Sequence, residues 1–221
     1  MIKENEINEA TGRMSGDERR SQILRIAIKL FSQRGFSGTT TKEIARVAGV
    51  SEAMVFRHFA TKSELYHAII NFKACEGGMN QPPWQKKSGA KAAIEAKNDF
   101  QVFYNLALHA LEHHEADVDF MRLLFHSALD EHELSAMFFD QFLTPLYDFL
   151  SSYIRERQKD GAMRDVEPKI IVRAFLGMII HHSLNNVLWD KSRRLLDISN
   201  EEAARSFAEI LLNGVLKEKQ I

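Results

Sequence analysis

The chain has 221 residues and is almost neutral, with 29 basic residues against 30 acidic ones. A hydrophobic fraction of 45% and a charged fraction of 27% are typical of a folded globular chain and exclude a disordered one. The single cysteine, Cys75, excludes an internal disulfide framework and a structural cysteine–zinc site. Polar residues interrupt the longest uncharged stretch, and the N-terminus lacks an apolar segment, so neither a membrane span nor a secretory signal is expected. We expect a cytoplasmic protein.

The charge is divided unevenly along the chain. Residues 17–75 carry ten basic and five acidic side chains, a balance of +5. Residues 76–221 carry 17 basic and 22 acidic side chains, a balance of −5. This asymmetry favours a nucleic-acid contact in the N-terminal part and a different role for the C-terminal part.

The N-terminal part predicts a flexible arm followed by four helices. Residues 1–16 lack apolar periodicity and are expected to form the arm. Thr41 and Ser51 are placed as N-caps of two short helices, and Thr61 with Glu64 forms a capping box for the next one. The apolar periodicity predicts helices over residues 17–34, 42–48, 52–59 and 62–75.

The rest of the chain is also helical in pattern. A Gly-Gly pair at 77–78 and a Pro-Pro pair at 82–83 mark a boundary, which predicts an N-terminal domain over 17–75 and a C-terminal domain over 76–221. Pro145 is expected to kink or divide the helix that contains it. The pattern predicts further helices over residues 88–114, 117–129, 132–159, 168–189 and 200–219. The fold class is therefore all-α, with about nine helices.

The stretch from 41 to 59, TKEIARVAGVSEAMVFRHF, predicts a helix-turn-helix. Ile44, Ala48, Val50 and Val55 are apolar where two crossing helices share a small core. Gly49 stands where the turn needs a left-handed backbone, which costs glycine little. In this motif the second helix enters the major groove of DNA.

A helical wheel predicts which side of the second helix faces DNA. With Val55 and Phe59 turned inward, Ala53 and Arg57 point outward and Phe56 lies on a flank. The Arg57 guanidinium can pair bidentately with a guanine edge or bind a phosphate, and Phe56 can touch a thymine methyl group. This surface is the predicted recognition surface.

Six short motifs follow one another along the N-terminal unit: LFSQRGF at 30–36, TTT at 39–41, IA at 44–45, AGVS at 48–51, FRHF at 56–59 and KSEL at 62–65. On these motifs the stretch 19–70 resembles the DNA-binding domain of TetR-type transcriptional regulators. The resemblance implies a homodimer, a small-molecule pocket in the C-terminal domain and repression that the ligand relieves. It also implies DNA contacts at Thr41, Lys42, Ser51, Glu52, Ala53, Met54, Phe56, His58 and Lys62, to which the wheel adds Arg57.

Glu52 departs from the family pattern, which often has Lys, Arg, Gln or Pro at this position. Two interpretations stay open. The carboxylate complements the positive N-terminal end of the second helix, or it accepts a hydrogen bond from a cytosine amino group.

The C-terminal helices are rich in aromatic residues, most of which are expected in the core, and an apolar pocket between helices is expected there. The predicted ligand-binding residues are Phe103, Tyr104, Phe125, His126, Phe138, Phe175, His182 and Asn186. His109, His113 and His114 could bind a metal, but histidines near a helix end are more often solvated or cap carbonyl groups. No metal, cofactor or catalytic group is predicted, because no nucleophile motif or phosphate-binding loop occurs.

The helices at 168–189 and 200–219 are apolar on most sides, which predicts burial on most sides and a homodimer formed through them. A two-fold dimer predicts an inverted-repeat operator in double-stranded DNA. The expected function is a ligand-responsive transcriptional regulator, a repressor by resemblance, with the 62–75 helix as the lever between its domains. The alternative is a helical sensor or interaction protein that keeps the helix-turn-helix fold without reading DNA.

Overall fold

A computed structural model describes residues 14–76 and 89–216. The described residues form eleven α-helices and two π-helical turns, Phe139–Leu143 and Asn185–Trp189. Among the described residues none of the helices is long and apolar enough to cross a membrane. The α-helices are α1 Gly16–Arg34, α2 Thr41–Ala48, α3 Glu52–His58, α4 Lys62–Glu76, α5 Gly89–Glu95, α6 Asp99–Ala116, α7 Val118–Leu129, α8 Glu133–Phe138, α9 Thr144–Lys159, α10 Pro168–Leu184 and α11 Asn200–Val215.

The all-α fold class is confirmed, and α1 to α4 match the four predicted N-terminal helices within one or two residues at their ends. Ser15 caps α1 in a capping box with Glu18. Most of the predicted arm, and the Gly-Gly and Pro-Pro pairs of the predicted boundary, lie outside the described residues.

Three predicted long helices are interrupted, so the described residues form eleven α-helices where about nine were expected. The 88–114 helix divides at 96–98, where Lys97 has a left-handed backbone (φ 51°) and Asn98 caps α6. The 132–159 helix divides at a π-helical turn just before Pro145, because proline cannot donate the backbone hydrogen bond that a continuous helix needs. The 168–189 helix ends in the second π-helical turn.

The described helices build two apolar cores. The first core holds the inward faces of α1 to α4 together with Phe120 and Leu123 of α7 and Leu134 of α8. The second core lies between α5, α6, α9, α10 and α11. Because α7 and α8 contribute to the first core, the N-terminal helices pack directly on the C-terminal part of the chain.

An ion-pair network joins the start of α6 to the end of α9. Asp99 accepts hydrogen bonds from Tyr153 Oη (2.6 Å) and from Arg157 Nε and Nη2 (2.8 and 3.0 Å). Arg157 also donates to Asp160, which accepts from Lys97 as well. Burial raises the pKa of Tyr153, and the hydrogen bond to Asp99 raises it further. The network holds the α5–α6 break against α9.

Replacing Asp99 by alanine is expected to lower the free energy of unfolding by about 3 kcal/mol. The side chains of Arg157 and Asp99 are only 13% and 11% exposed, so the change leaves a nearly buried cation without its partner. Urea denaturation at fixed protein concentration measures the loss. Asp197→Ala, at an exposed position before α11, is the matched control and should change the unfolding energy by less than about 0.5 kcal/mol. Equal effects of the two substitutions would show that the network does not stabilise the fold.

Candidate DNA-binding surface and two cavities

Local hydrogen bonds fix the geometry of the helix-turn-helix. The Thr40 hydroxyl accepts from Glu43 N (3.1 Å) and caps α2, so the predicted cap at Thr41 is wrong by one residue. Gly49 adopts the predicted left-handed conformation, with φ 66° and ψ 32°. Ser51 caps α3 as predicted, accepting from Met54 N (3.2 Å). The angle between the two short helices is therefore specified by their own sequence.

The orientation predicted for α3 is confirmed. Val55 and Phe59 are each 1% exposed and anchor the helix on the first core. Ala53, Phe56 and Arg57 are exposed on the opposite side, and no element of the described chain covers them. Among the ten predicted DNA-contact residues, Met54 and His58 are half-buried at its edges, while Ser51 and Lys42 are exposed. The recognition surface therefore faces outward as a unit.

A short hydrogen bond ties the N-terminal ends of α2 and α3 together. The Thr41 hydroxyl donates to Glu52 Oε1 at 2.6 Å, and the pair is partly buried. Glu52 also lies in the first turn of α3, where its negative charge complements the helix dipole. The carboxylate thus has a structural partner in the free protein, which sequence reasoning did not anticipate.

Lys62 differs from the other predicted contacts because it packs against an aromatic ring. Its Nζ lies 4.1 Å from the centroid of the Phe36 ring, a cation–π distance. Burial lowers the pKa of this amine. Sequence reasoning also left out Arg46, which is exposed on α2. A wheel of α2 identifies it, because Ile44 and Ala48 face the core and place Arg46 on the opposite side.

The eight predicted ligand-binding residues do not converge on one pocket. Phe103 and Phe175 are fully buried in the second core, where their rings meet edge to face at 5.1 Å. Tyr104 stacks on Phe100 under Arg205, and Phe138 packs on the first core. The remaining four line two cavities. Helix periodicity marks a side chain as inward but does not tell a packed position from a cavity wall.

The first cavity, here the polar cavity, has a volume of about 350 Å³. Predicted residues His182 and Asn186 line it and bond to each other, with 3.0 Å between Asn186 Nδ2 and His182 Nε2. Burial lowers the pKa of His182. Its other lining residues are Leu111, Glu115, Val118, Arg122, Ser183, Val187, Lys191, Arg193 and Asn200.

The second cavity, here the apolar cavity, has a volume of about 380 Å³. Predicted residues Phe125 and His126 of α7 line it together with Leu129. Two further lining residues, Ser32 and Gln33, belong to α1. The cavity therefore lies where the N-terminal helices pack on α7. Arg122 and Leu188 complete its wall.

The predicted histidine cluster is placed for hydrogen bonding. His114 Nδ1 lies 2.9 Å from Ser183 Oγ, which ties α6 to α10. Burial, reinforced by the nearby His113, lowers the pKa of His114 to about 4. Within the described ranges, no group of three His, Cys, Asp or Glu side chains is arranged to hold a metal ion.

The geometry defines the class of the protein: a helix-turn-helix domain with an open recognition surface, packed on a larger helical part. Residues 23–69 match the family model of bacterial regulatory proteins of the tetR family. The match lies within the helix-turn-helix unit and confirms the resemblance to TetR-type regulators expected from its motifs.

Curated relatives and solved structures agree with this assignment. The transcriptional activator FasR of Mycolicibacterium smegmatis is 35% identical over 98 residues, 42% of this chain and 45% of the relative. The regulator AcrR of Shigella flexneri is 36% identical over 75 residues, 34% of this chain and 35% of the relative. This chain thus spans less than half the length of these relatives. A transcriptional regulator of Saccharomonospora viridis, solved in complex with choline, shares the fold with a TM-score of 0.67 at 16% identity, over 91% of this chain and 100% of that one.

The folded chain is expected to lose stability as the pH falls from about 6.5 towards 4 because of His114. The pKa of His114 is lower in the folded chain than in the unfolded chain, so the unfolded chain binds the proton first as the pH falls. Above the pKa of histidine in the unfolded chain, this group causes no loss of stability. Between pH 7 and pH 5 this group accounts for about 2 kcal/mol. Urea denaturation at both pH values measures the difference. His114→Gln should reduce the pH dependence, whereas His109→Gln, at an exposed position of the same helix, should leave it unchanged. A His114→Gln variant with the wild-type pH dependence would contradict the assignment.

Proposed function

We propose that the chain is a sequence-specific DNA-binding transcriptional regulator, a repressor that a small-molecule effector releases from DNA. The observation that carries the proposal is the outward side of α3, where Arg57 and Phe56 are exposed while Val55 and Phe59 anchor the helix from behind. A helix held in this way has the geometry to enter a major groove. The proposal requires no catalytic step and places the protein with the DNA in the cytoplasm.

The proposed regulator is a homodimer that forms through α10 and α11. Ile171, Phe175 and Ile179 are buried inside the protomer, so they do not contribute to an interface. The outward side of each helix carries a glycine, Gly177 on α10 and Gly214 on α11. An added Cβ at either glycine meets no atom within 4 Å. Glycine inside a helix costs about 0.5–1 kcal/mol; the close approach of a partner helix explains why both positions keep it.

Dimer symmetry sets the form of the operator. Two α3 helices related by a two-fold axis meet successive major grooves about 34 Å apart, so the operator is an inverted repeat. The effector changes the separation of the two recognition surfaces. A coupling of about 1–3 kcal/mol per site is enough to change DNA affinity substantially. The polar cavity among α6, α7 and α10 and the apolar cavity between α1 and α7 offer room for such a ligand. The choline complex of the Saccharomonospora viridis regulator supports binding of a small molecule within this fold.

Substitutions at two exposed basic residues separate base recognition from phosphate contact. Arg57→Ala is expected to weaken binding to the selected operator by about 1–3 kcal/mol and to relax sequence preference at one position of each half-site. Lys42→Ala is expected to weaken binding to all sequences alike and to reduce the slope of log affinity against log salt by about 1 per chain. Operators are first selected from genomic fragments with the full chain, and fluorescence anisotropy at several salt concentrations measures affinity.

Lys159→Ala, at the exposed end of α9, is the matched control for the lost charge and should leave affinity unchanged. Wild-type sequence preference in Arg57→Ala would contradict the assigned role of α3. If the wild-type chain selects no fragment and its binding shows no steep salt dependence, the alternative of a sensor or interaction protein without DNA recognition replaces the proposal.

A charge on the outward side of α11 is expected to weaken the dimer. Ile210 is 62% exposed in the protomer, and its apolar side chain gains burial only from a partner. Ile210→Lys should shift the monomer–dimer midpoint to at least tenfold higher protein concentration in sedimentation equilibrium without DNA. Val47→Lys, on α2 and also exposed, is the control and should leave the midpoint in place. A dimer of unchanged strength in Ile210→Lys would exclude α11 from the interface.

A further inference from the structure

Arg122 of α7 stands between the two cavities and lines both of them. Its Nε is buried and has no hydrogen-bond partner in the described part of the chain. Within the same residues, no carboxylate lies at ion-pair distance from its guanidinium. A buried N–H donor without an acceptor is costly, and the guanidinium that carries it brings a positive charge to the wall of both cavities. The position therefore favours a ligand that brings the negative charge.

The charge of the polar cavity also favours a negatively charged ligand. Its one acidic lining residue is Glu115, which accepts hydrogen bonds from Arg193 Nη2 (2.7 Å) and Asn200 Nδ2 (2.6 Å). Arg193 and Glu115 therefore neutralise each other. Arg122 and Lys191 have no carboxylate partner among the residues that the structure describes, so the lining of the polar cavity has an excess of positive charge.

The apolar cavity has a largely hydrophobic wall. Phe125, Leu129 and Leu188 dominate its wall, and Leu129 is 83% exposed. Burying such side chains under an apolar group is favourable by about 25 cal/mol per Å² of covered area. Within the described residues the chain itself does not cover this surface. A hydrocarbon body placed here would touch Ser32 and Gln33 of α1 as well as α7.

We propose that the effector of this regulator is an organic acid whose carboxylate is held by Arg122 and whose apolar body lies against Phe125, Leu129 and Leu188. The planar guanidinium matches a carboxylate bidentately, which is the strong form of this contact. Lys191 adds positive charge from the polar cavity. The inference rests on the proposed function, because it assigns the chemical class of the effector and the place where that ligand reaches α1.

The ligand would act on α1 through its last turn. Ser32, which lines the apolar cavity, donates a hydrogen bond to Asp119 Oδ1 of α7 at 2.9 Å. An apolar body seated beside this bond fills the space between α1 and α7 and changes how the two helices pack. Because α1 also pairs with α2 through Arg34 and Glu43, the change reaches the recognition surface.

Isothermal titration calorimetry on the full chain tests the inference with matched probes. The acids are octanoate and 4-phenylbutyrate, the neutral controls are their amides, and octylamine is the cationic control. The acids are expected to bind at least tenfold more tightly than the amides and the amine. Arg122→Met should weaken binding of the acids at least tenfold and leave binding of the amides unchanged. Arg122→Lys should bind the acids with an affinity between those of wild type and Arg122→Met. Arg155→Met, an exposed arginine of α9 outside both cavities, should bind as the wild type does.

Equal affinity for acid and amide, no binding by either acid, or undiminished acid binding by Arg122→Met would each overturn the inference. Thermal unfolding distinguishes loss of folding from the expected result, because Arg122→Met removes a buried donor that has no acceptor and should unfold at or above the wild-type temperature. Operator binding is measured separately by anisotropy without added acid. If wild type and Arg122→Met both bind the operator while the acids bind no more tightly than their amides, only the inference on the effector fails. If neither binds any operator, the proposed function itself fails.

Discussion

The packing of α1 against α7 is the constraint on which the rest of the structure depends. Phe31 of α1 and Phe120 and Leu123 of α7 belong to the same apolar core as the helix-turn-helix. Close-packed interiors do not deform continuously, so α1 cannot shift on α7 without repacking this core. The Ser32–Asp119 hydrogen bond adds a polar interaction between the same two helices. The recognition surface is therefore attached to the C-terminal helices as a rigid element, and a change in α7 reaches α3 through the whole of this core.

A second attachment runs through α4, the helix that the sequence suggests as the lever. Tyr66 of α4 packs edge to face on Phe36 (5.0 Å between ring centroids) and on His132 (4.5 Å), which precedes α8. This aromatic cluster holds α4 to α8 but lines neither cavity. The end of α1, in contrast, forms part of the wall of the apolar cavity. In the proposed mechanism α1 receives the change directly, and α4 follows because Tyr66 shares the first core with it.

The features that the sequence predicts depend on interactions between residues close together in the chain, and the features that it misses depend on residues far apart. The helix-turn-helix is predictable because Gly49, Ser51 and the apolar positions around Val55 act within a few residues of one another. The break at Lys97 has a weaker local signal, since only the cap residue Asn98 marks it, without glycine or proline, and the Asp99–Arg157 pair that holds it is 58 residues apart in sequence. The cavities are missed for the same reason. Phe103 and Phe125 are both inward and aromatic, yet one is fully packed and the other lines a cavity, and only the positions of neighbouring helices separate them.

Asp99 and Arg122 differ in how far the fold satisfies their polar atoms. The carboxylate of Asp99 has three donors at 3.0 Å or less, so its charge is satisfied within the fold and its role is to hold helices together. The Nε of Arg122 is also buried but has no acceptor among the described residues, and the half-buried side chain lines both cavities. Stability alone does not favour this side chain, because a buried donor without an acceptor loses the hydrogen bond that it makes with water in the unfolded chain. The energetic cost at Arg122 is therefore best explained by a partner that is not part of the chain, and its place between the polar cavity and the α1–α7 contact is where such a partner could act on DNA binding.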